Sequence, residues 1–332
     1  MTPAFGCVVL TAGRRPDDLR RAVESLLEQR DVALDVVVVG NGCEPAGVPD
    51  GVPVVALERD DGIPAGRNAG VPHVRGELLF FLDDDAEIAG DDALARVAAL
   101  FAADPALGLV QLGPQAREPG GRRSRDWVPR LRVGDPRRPS ESTVVWEGAV
   151  AIRRAAWDQA GPWPAEFRFV HEGVDLGWRL MDAGWSMRYA GDIPVLHPSP
   201  AGTAHGYSYY FGARNRVWLA RRHLPLPLGI LFVTSFALRT VPRLKSRRAL
   251  QEAARGYRDG VRRPAGPRRR LRARTMLRMT PMRPRQDTGS TFCSSNLSAR
   301  VRSAPSIEPG TRKSIARSRS SCCPPARRAV RR

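Results

Sequence analysis

Nearly unbroken apolar runs recur along the first third of the chain: FGCVVLT at 5–11, ALDVVVVG at 33–40, VPVVAL at 52–57 and ELLFFL at 77–82. Helical stretches separate them. Leu19, Ala22, Val23, Leu26 and Leu27 share one stripe of 16–29, and a Gly-rich turn leads into a helix from about 63 to 74. A strand that is apolar at every position is buried on both faces, and strands joined by helices pair in parallel. The alternation therefore predicts an α/β fold, with a doubly wound, mostly parallel sheet between two layers of helices. A helix over 91–102 and a strand at 107–112 extend it.

The pattern breaks at 114–142, which is rich in Gly, Pro and Arg and lacks apolar periodicity. A loop of that length in a compact domain is usually functional, and this one is expected to be mobile. Order resumes with TVVWEGAVAI at 143–152, a helix at about 172–184, short strands at 186–190 and 193–196, and a closing helix from 206 to 223. Residues 224–241 are apolar but interrupted by Pro225, Pro227 and Gly229. The uninterrupted part is shorter than the ~20 residues needed to span a bilayer. Flanked by Arg221, Arg222, Arg239, Arg243 and Lys245, the segment reads either as an anchor lying in a membrane interface or as a buried core helix.

The formal charge of +19 would suggest a nucleic-acid partner if it were spread over the fold, but residues 1–242 carry a net −3 and residues 243–332 a net +22. From about 264 onward the Arg/Ser/Pro-rich sequence has no hydrophobic period and is expected to be disordered. The basic stretch 243–332 carries only Tyr257 and Phe292 as aromatics, too few to stack bases, so specific nucleic-acid recognition is not expected. The five cysteines have neither CxxC nor CxxH spacing, which argues against a zinc site or a disulfide framework. Cys7 and Cys43 occupy strand-like, buried positions, as in a reduced cytoplasmic protein. Met1 leads almost directly into a strand without a basic-then-apolar leader, so the folded part is expected in the cytoplasm.

The sharpest local feature is FFLDDDAEI, where Asp83, Asp84 and Asp85 follow an apolar strand directly. Ligands of open parallel sheets bind at the carboxyl ends of the strands. Three adjacent carboxylates repel one another unless a cation neutralises them, and alternate residues of an extended strand end face the same way. Asp83 and Asp85 can thus share a site for Mg²⁺ or Mn²⁺, hard cations that bridge carboxylates to a diphosphate and stabilise a phosphate leaving group. Upstream, DDGIPAGRNAG at 60–70 opens a helix. Gly62, Gly66 and Gly70 would allow close approach of an anion to the helix start. Arg67 offers a planar fork to phosphate or ribose oxygens, and Asn68 could bond either the ligand or a neighbouring strand.

Taken in order, LTAGRRPDDLRRAVESLL, VVVVGNG, GIPAGRNAG, FFLDDD, WEGAVAIRR, HEGVDLGWRLMDAGW and VLHP resemble the family 2 glycosyltransferases of the GT-A fold, especially bacterial rhamnosyltransferase-like members. The likeness covers residues 5 to about 222. It implies a catalytic domain at 1–222, with a nucleotide-sugar-binding half at about 1–112 and an acceptor half at 143–222. An interfacial helical segment at 223–263 and the Arg-rich tail at 264–332 would follow. By the resemblance, Thr11 and Ala12 lie along the base and ribose, Asn41 contacts the base, Asp83 and Asp85 bind the metal, and Asp84 sits near the ribose or sugar. His197 completes the metal site, while Trp146, Glu147 and Gly148 shape the sugar and acceptor pocket. Implied too are a nucleotide-diphosphate sugar donor, a saccharide or lipid-linked acceptor of the cell envelope, a peripheral membrane contact, and an inverting displacement assisted by a carboxylate base.

Two positions depart from the family pattern. Gly40 stands where members usually carry Asp, and Gly173 stands where many carry the acidic residue that acts as base. Glu172 or Asp175 must then take that role. The two share a helix face, and Arg179, four residues after Asp175, can pair with it, which favours Glu172. Two other readings compete. A sugar nucleotidylyltransferase would need a Gly-rich first loop with a Lys near the triphosphate, yet residues 1–244 contain no Lys. A degenerate transferase serving as a membrane-bound binding module is compatible with both departures.

Overall fold

The computed structural model describes residues 2–279 except 122–123, 125–126, 130–132, 200–205 and 245. Among the described residues nine strands form one sheet in the order β3-β2-β1-β4-β8-β6-β9-β5, where β5 is Glu87–Ile88, and β7 (Ser140–Glu141) pairs with the first residues of β9. Strands β1 (Ala4–Thr11), β2 (Ala33–Gly40), β3 (Val54–Ala56) and β4 (Leu78–Asp83) are mutually parallel, as the apolar alternation predicts. Beyond β4 the sheet becomes mixed. Strand β8 (Ala149–Arg153) runs antiparallel to both β4 and β6 (Leu107–Ala116), while β9 (Ser186–His197) returns parallel to β6. The two short strands expected at 186–190 and 193–196 are thus one, with its register shifted where Gly113 meets Pro194. The reversal of β8 is invisible to local pattern, because an apolar strand carries no direction.

Alternate strand residues feed two cores. On one face Phe5, Cys7, Val9 and Phe80 pack against Leu19, Val23 and Leu26 of α1 (Pro16–Leu27) and Leu94, Val97 and Phe101 of α3 (Ala93–Ala103). On the other, Val8, Leu10, Leu79 and Phe81 meet Trp157 of α4 (Arg154–Ala160), Leu176 and Leu180 of α5 (Glu172–Ala183), and Trp218 of α6 (Gly206–His223). Cys7 lies in the first core, whereas Cys43 is half-buried in the turn after β2 rather than in a strand.

The C-terminal helices extend the fold past residue 222. Helix α8 (Arg247–Arg262) lies against α6 so closely that a Cβ on Gly256 or Gly260 would collide with it. Residues 264–279, expected to be disordered, are placed: Ala265 and Leu271 are buried in the second core, and the Leu271 N–H donates to His223 O at 3.0 Å. Their few apolar side chains suffice because the domain supplies the partner surface. The rest of the expected disordered tail, 280–332, lies outside the described residues. Helix α7 (Leu226–Thr240) follows neither expectation for 224–241 fully. Phe232 and Val233 pack on the core, whereas Leu226, Ile230, Leu231 and Leu238 are 71, 55, 64 and 77 % exposed. Among the described residues no helix is long and apolar enough to cross a membrane.

Candidate active site

The acidic turn after β4 stands at the carboxyl ends of β1 and β4. The Asp83 N–H donates to Gly148 O at 2.9 Å, so the turn is fixed to the segment entering β8. Asp84 points back to β1 and accepts from Thr11 Oγ1 at 2.6 Å, and Arg15 Nη2 donates to its other oxygen at 2.7 Å. Burial pushes the Asp84 carboxyl up to about 6, against the pull of Thr11 and Arg15. Asp85 is bonded by Arg15 Nη1 and by His197 Nε2, the latter at 3.2 Å. Burial works to raise its carboxyl, but the hydrogen bond and charge of His197, with that of Arg15, outweigh it and hold Asp85 below the usual range.

Asp83, Asp85 and His197 offer ligand atoms that all lie within 4.8 Å of one another. Two carboxylate oxygens and an imidazole nitrogen suit Mn²⁺ or a similar divalent ion. His197 is held for that role: its Nδ1 meets Pro198 O at 2.8 Å, and Trp127 and Trp146 set their rings edge-on to it at 5.3 and 5.4 Å. Trp127 belongs to the 114–142 stretch, whose described part includes this buried side chain over the site and strand β7 (Ser140–Glu141).

Arg67, on α2 (Ile63–Gly70), donates from Nη2 to Asp83 Oδ1 at 2.7 Å and lies over the Trp163 ring at 5.3 Å. Its Nε and Nη1 are buried without a partner. The Gly-rich turn itself is a packing device rather than an open anion cradle. The Gly62 N–H is taken by Asp60 and the Ile63 N–H by Arg168 O, each at 2.8 Å. Gly66 lies against Leu10 and Gly70 against Val8, with no room for a Cβ. Asn68, read as a partner of either the donor or a neighbouring strand, clamps the Trp163 backbone with both its amide atoms, at 2.9 and 3.0 Å.

Thr11 is buried beneath Asp84, while Ala12 is exposed beyond the end of β1. Asn41 Nδ2 donates to Asp60 Oδ1 at 2.9 Å, which ties the turn after β2 to the segment before α2. The glycine at 40 is a consequence of the turn that follows it, because an added Cβ would overlap the Cys43 carbonyl oxygen.

The acceptor half contributes a pair of acids. Glu147 accepts the Gly173 N–H on Oε1 at 2.6 Å, and Glu172 heads α5 with its Oε2 buried and unpartnered. Burial, then the Glu172 charge, push the Glu147 carboxyl up to about 8, and burial raises Glu172 as well. Trp146 is fixed by its backbone N–H, which donates to Gln111 Oε1 at 2.9 Å, and the absence of a side chain at Gly148 makes room for its indole. The backbone that delivers Glu172 is strained: Arg168, Val170 and His171 have φ of +61, +56 and +70°. Buried Asn215 of α6 holds it, with Nδ2 at 3.0, 2.8 and 2.8 Å from the carbonyls of Phe167, Phe169 and Val170.

Asp175 is removed from the candidates for a base. Arg179 Nε lies 2.8 Å from its Oδ2, and Arg222 Nη1 and His223 Nε2 lie 3.0 and 2.7 Å from its Oδ1. Burial alone would raise this carboxyl, but the His223 bond and the Arg179 charge lower it. It joins α5 to α6 deep in the second core. Two cations were missed in the sequence: Arg15, which bridges Asp84 and Asp85, and Arg117, which bonds Asp85 O at 2.7 Å and Asp18 at 2.8 Å. Both sit in Arg-rich stretches where nothing local separates a site arginine from a solvated one.

Residues 7–160 match the family described as glycosyl transferase family 2. A curated relative, the N-acetylglucosaminyl-diphospho-decaprenol L-rhamnosyltransferase of Mycobacterium tuberculosis, is 27 % identical over 67 % of this chain and 86 % of its own length. Among solved structures, the mannosyltransferase PcManGT of Pyrobaculum calidifontis, in complex with GDP-Man and Mn²⁺, superposes with a TM-score of 0.51 at 17 % identity, covering 80 % of this chain and 76 % of that one. S. aureus TarS 1–349 with UDP-GlcNAc gives 0.54 at 15 % identity over 78 % and 81 %. These two likenesses concern the fold.

Proposed function

Because the chain is a family 2 glycosyltransferase of rhamnosyltransferase-like type, we propose that it transfers a sugar, with inversion, from a nucleoside-diphosphate sugar to a hydroxyl of a polyprenol-linked saccharide. The observation that carries the reading is the juxtaposition of two unlike acidic groups. One, Asp83, Asp85 and His197, has the donor set of a divalent-cation site. The other, Glu147 with Glu172, is a carboxylate pair with raised proton affinity, and Arg67 lies between the two groups, bonded to Asp83 and facing both glutamates.

A divalent cation bound by Asp83, Asp85 and His197 would neutralise the donor diphosphate and stabilise the charge that gathers on it as it leaves. Thr11 and Arg15 hold Asp84 and Asp85 in place, so the turn meets its ligand already organised. Trp146 and Trp127 wall the His197 side of the site. A carboxylate of the glutamate pair takes the proton of the acceptor hydroxyl. The exposed apolar residues of α7, flanked by Arg239 and Arg243, support a peripheral contact with the bilayer that carries such an acceptor.

The test is to incubate the full chain with Mn²⁺, N-acetylglucosaminyl-diphospho-polyprenol and, in turn, nucleoside-diphosphate L-rhamnose, UDP-GlcNAc and GDP-mannose. Label moving from one donor to the lipid supports the reading. No transfer and no nucleoside diphosphate release from any donor contradicts it.

A further inference from the structure

We infer that Glu147, which enters the site from the segment before β8, is the general base of the transfer, and that Glu172 behind it is a positioning residue. The inference rests on the transferase reading above. Glycine at 173 leaves an empty volume at the first turn of α5, and the Glu147 side chain fills it: a Cβ added to Gly173 would overlap Glu147 Oε1 and come within 2.7 Å of Glu147 Cγ and Cδ. The Gly173 N–H, at the helix start, donates to that same oxygen. A carboxylate thus stands over the helix N-terminus in the place that residue 173, a glycine, leaves without a side chain, and the dipole favours its charged form.

Access separates the two acids. Glu172 is 3 % exposed with one oxygen sealed away from solvent and partners, whereas Glu147 retains part of its surface. That remaining surface makes Glu147 the more open of the two to an acceptor. Glu147 is also coupled by the chain to the donor side, because Gly148 O, one residue on, accepts the Asp83 N–H. A buried anionic neighbour raises the basicity of an accessible carboxylate towards working pH, where a base is most effective. That is the service Glu172 performs.

The step balances as a direct displacement. The acceptor O–H gives its proton to Glu147, and the oxygen's electron pair forms the bond to the donor's anomeric carbon. The bond from that carbon to the diphosphate oxygen breaks, its pair leaving with the nucleoside diphosphate.

Full-length wild type, Glu147→Gln, Glu172→Gln, Glu147→Ala and Glu147→Ala/Gly173→Asp are compared with Mn²⁺, the donor that wild type turns over and N-acetylglucosaminyl-diphospho-polyprenol. The glutamine of Glu147→Gln can still accept the Gly173 N–H, so a structural role would spare its activity. The expected result is a loss of about 100-fold or more in kcat for Glu147→Gln, with donor KM and unfolding midpoint unchanged. A smaller loss is expected for Glu172→Gln, with its pH profile shifted. The double variant, which returns a carboxylate from the helix, should recover at least about tenfold over Glu147→Ala. Glu147→Gln retaining a third or more of wild-type kcat overturns the assignment, as does a larger loss in Glu172→Gln than in Glu147→Gln. A wild type inert towards every donor contradicts the transferase reading itself, a separate failure.

Discussion

Arg67 and Asp83 meet through a single 2.7 Å bond between Nη2 and Oδ1, and that bond ties the last turn of α2 to the strand end that presents the acidic turn. Buried Arg67 also feels Glu172 and Glu147, whose charges, with that of Asp83, offset the burial of its guanidinium. Replacing it by Ala leaves these carboxylates without their counter-charge. The expected cost is about 3 kcal/mol of stability, read as a lower urea midpoint, together with loss of donor binding. An unchanged midpoint would show that water, rather than Arg67, compensates the acids.

Asp175 and Glu172 stand on one helix and should behave oppositely. Asp175→Asn disrupts a buried bond set with Arg179, Arg222 and His223, and should cost about 3 kcal/mol while leaving kcat within a few-fold at low temperature. Glu172→Gln should leave the unfolding midpoint nearly unmoved or raise it, since it removes a buried acid with an unpartnered oxygen. Steady-state kinetics beside thermal melts separate the two. A catalytic loss in Asp175→Asn without loss of stability would return Asp175 to the chemistry.

Much of this arrangement was readable before the fold. The parallel half of the sheet follows from strands that are apolar at every position, and the metal-capable turn follows from three aspartates at the end of one of them. The Asp175–Arg179 pair follows from helical spacing. What was not readable depends on partners distant in sequence. Asn68 finds Trp163, 95 residues away, and Glu147 occupies the space left at Gly173. Neither complement can be inferred from spacing, because each is set by how β8 reverses against β4 and brings 147 beside the head of α5. The placement of 264–279 escaped for a related reason: composition reports what a segment can bury by itself, not what a neighbouring helix lends it.

Stability should fall as pH rises through the neutral range. The Glu147 carboxyl, facing Glu172 and Arg67, is raised from the ordinary 4.5 to about 8, so between those values the folded chain binds more protons than the unfolded one. Stability from this group is complete below about 4.5 and is lost as pH approaches 8. Melting curves from pH 5 to 8 should show a decline that flattens in Glu147→Gln. Equal slopes in the two proteins would place the titration elsewhere.

Helix α7 should govern contact with lipid. Leu231→Asp with Leu238→Asp, both at exposed positions, is expected to weaken binding to vesicles containing anionic lipid by about tenfold or more, with the fold intact. Vesicle co-sedimentation at low and high salt checks this, and undiminished binding would assign the contact to other residues.

Donor binding should depend on a divalent cation held jointly by Asp83, Asp85 and His197. Calorimetric titration of the full chain with the nucleoside diphosphate of its donor, with and without Mn²⁺, tests it most directly when wild type is compared with Asp85→Asn and His197→Ala. The expected result is binding that requires Mn²⁺ in wild type and is lost in Asp85→Asn and weakened in His197→Ala. Equal affinity in all three proteins, or binding indifferent to the cation, would contradict the account.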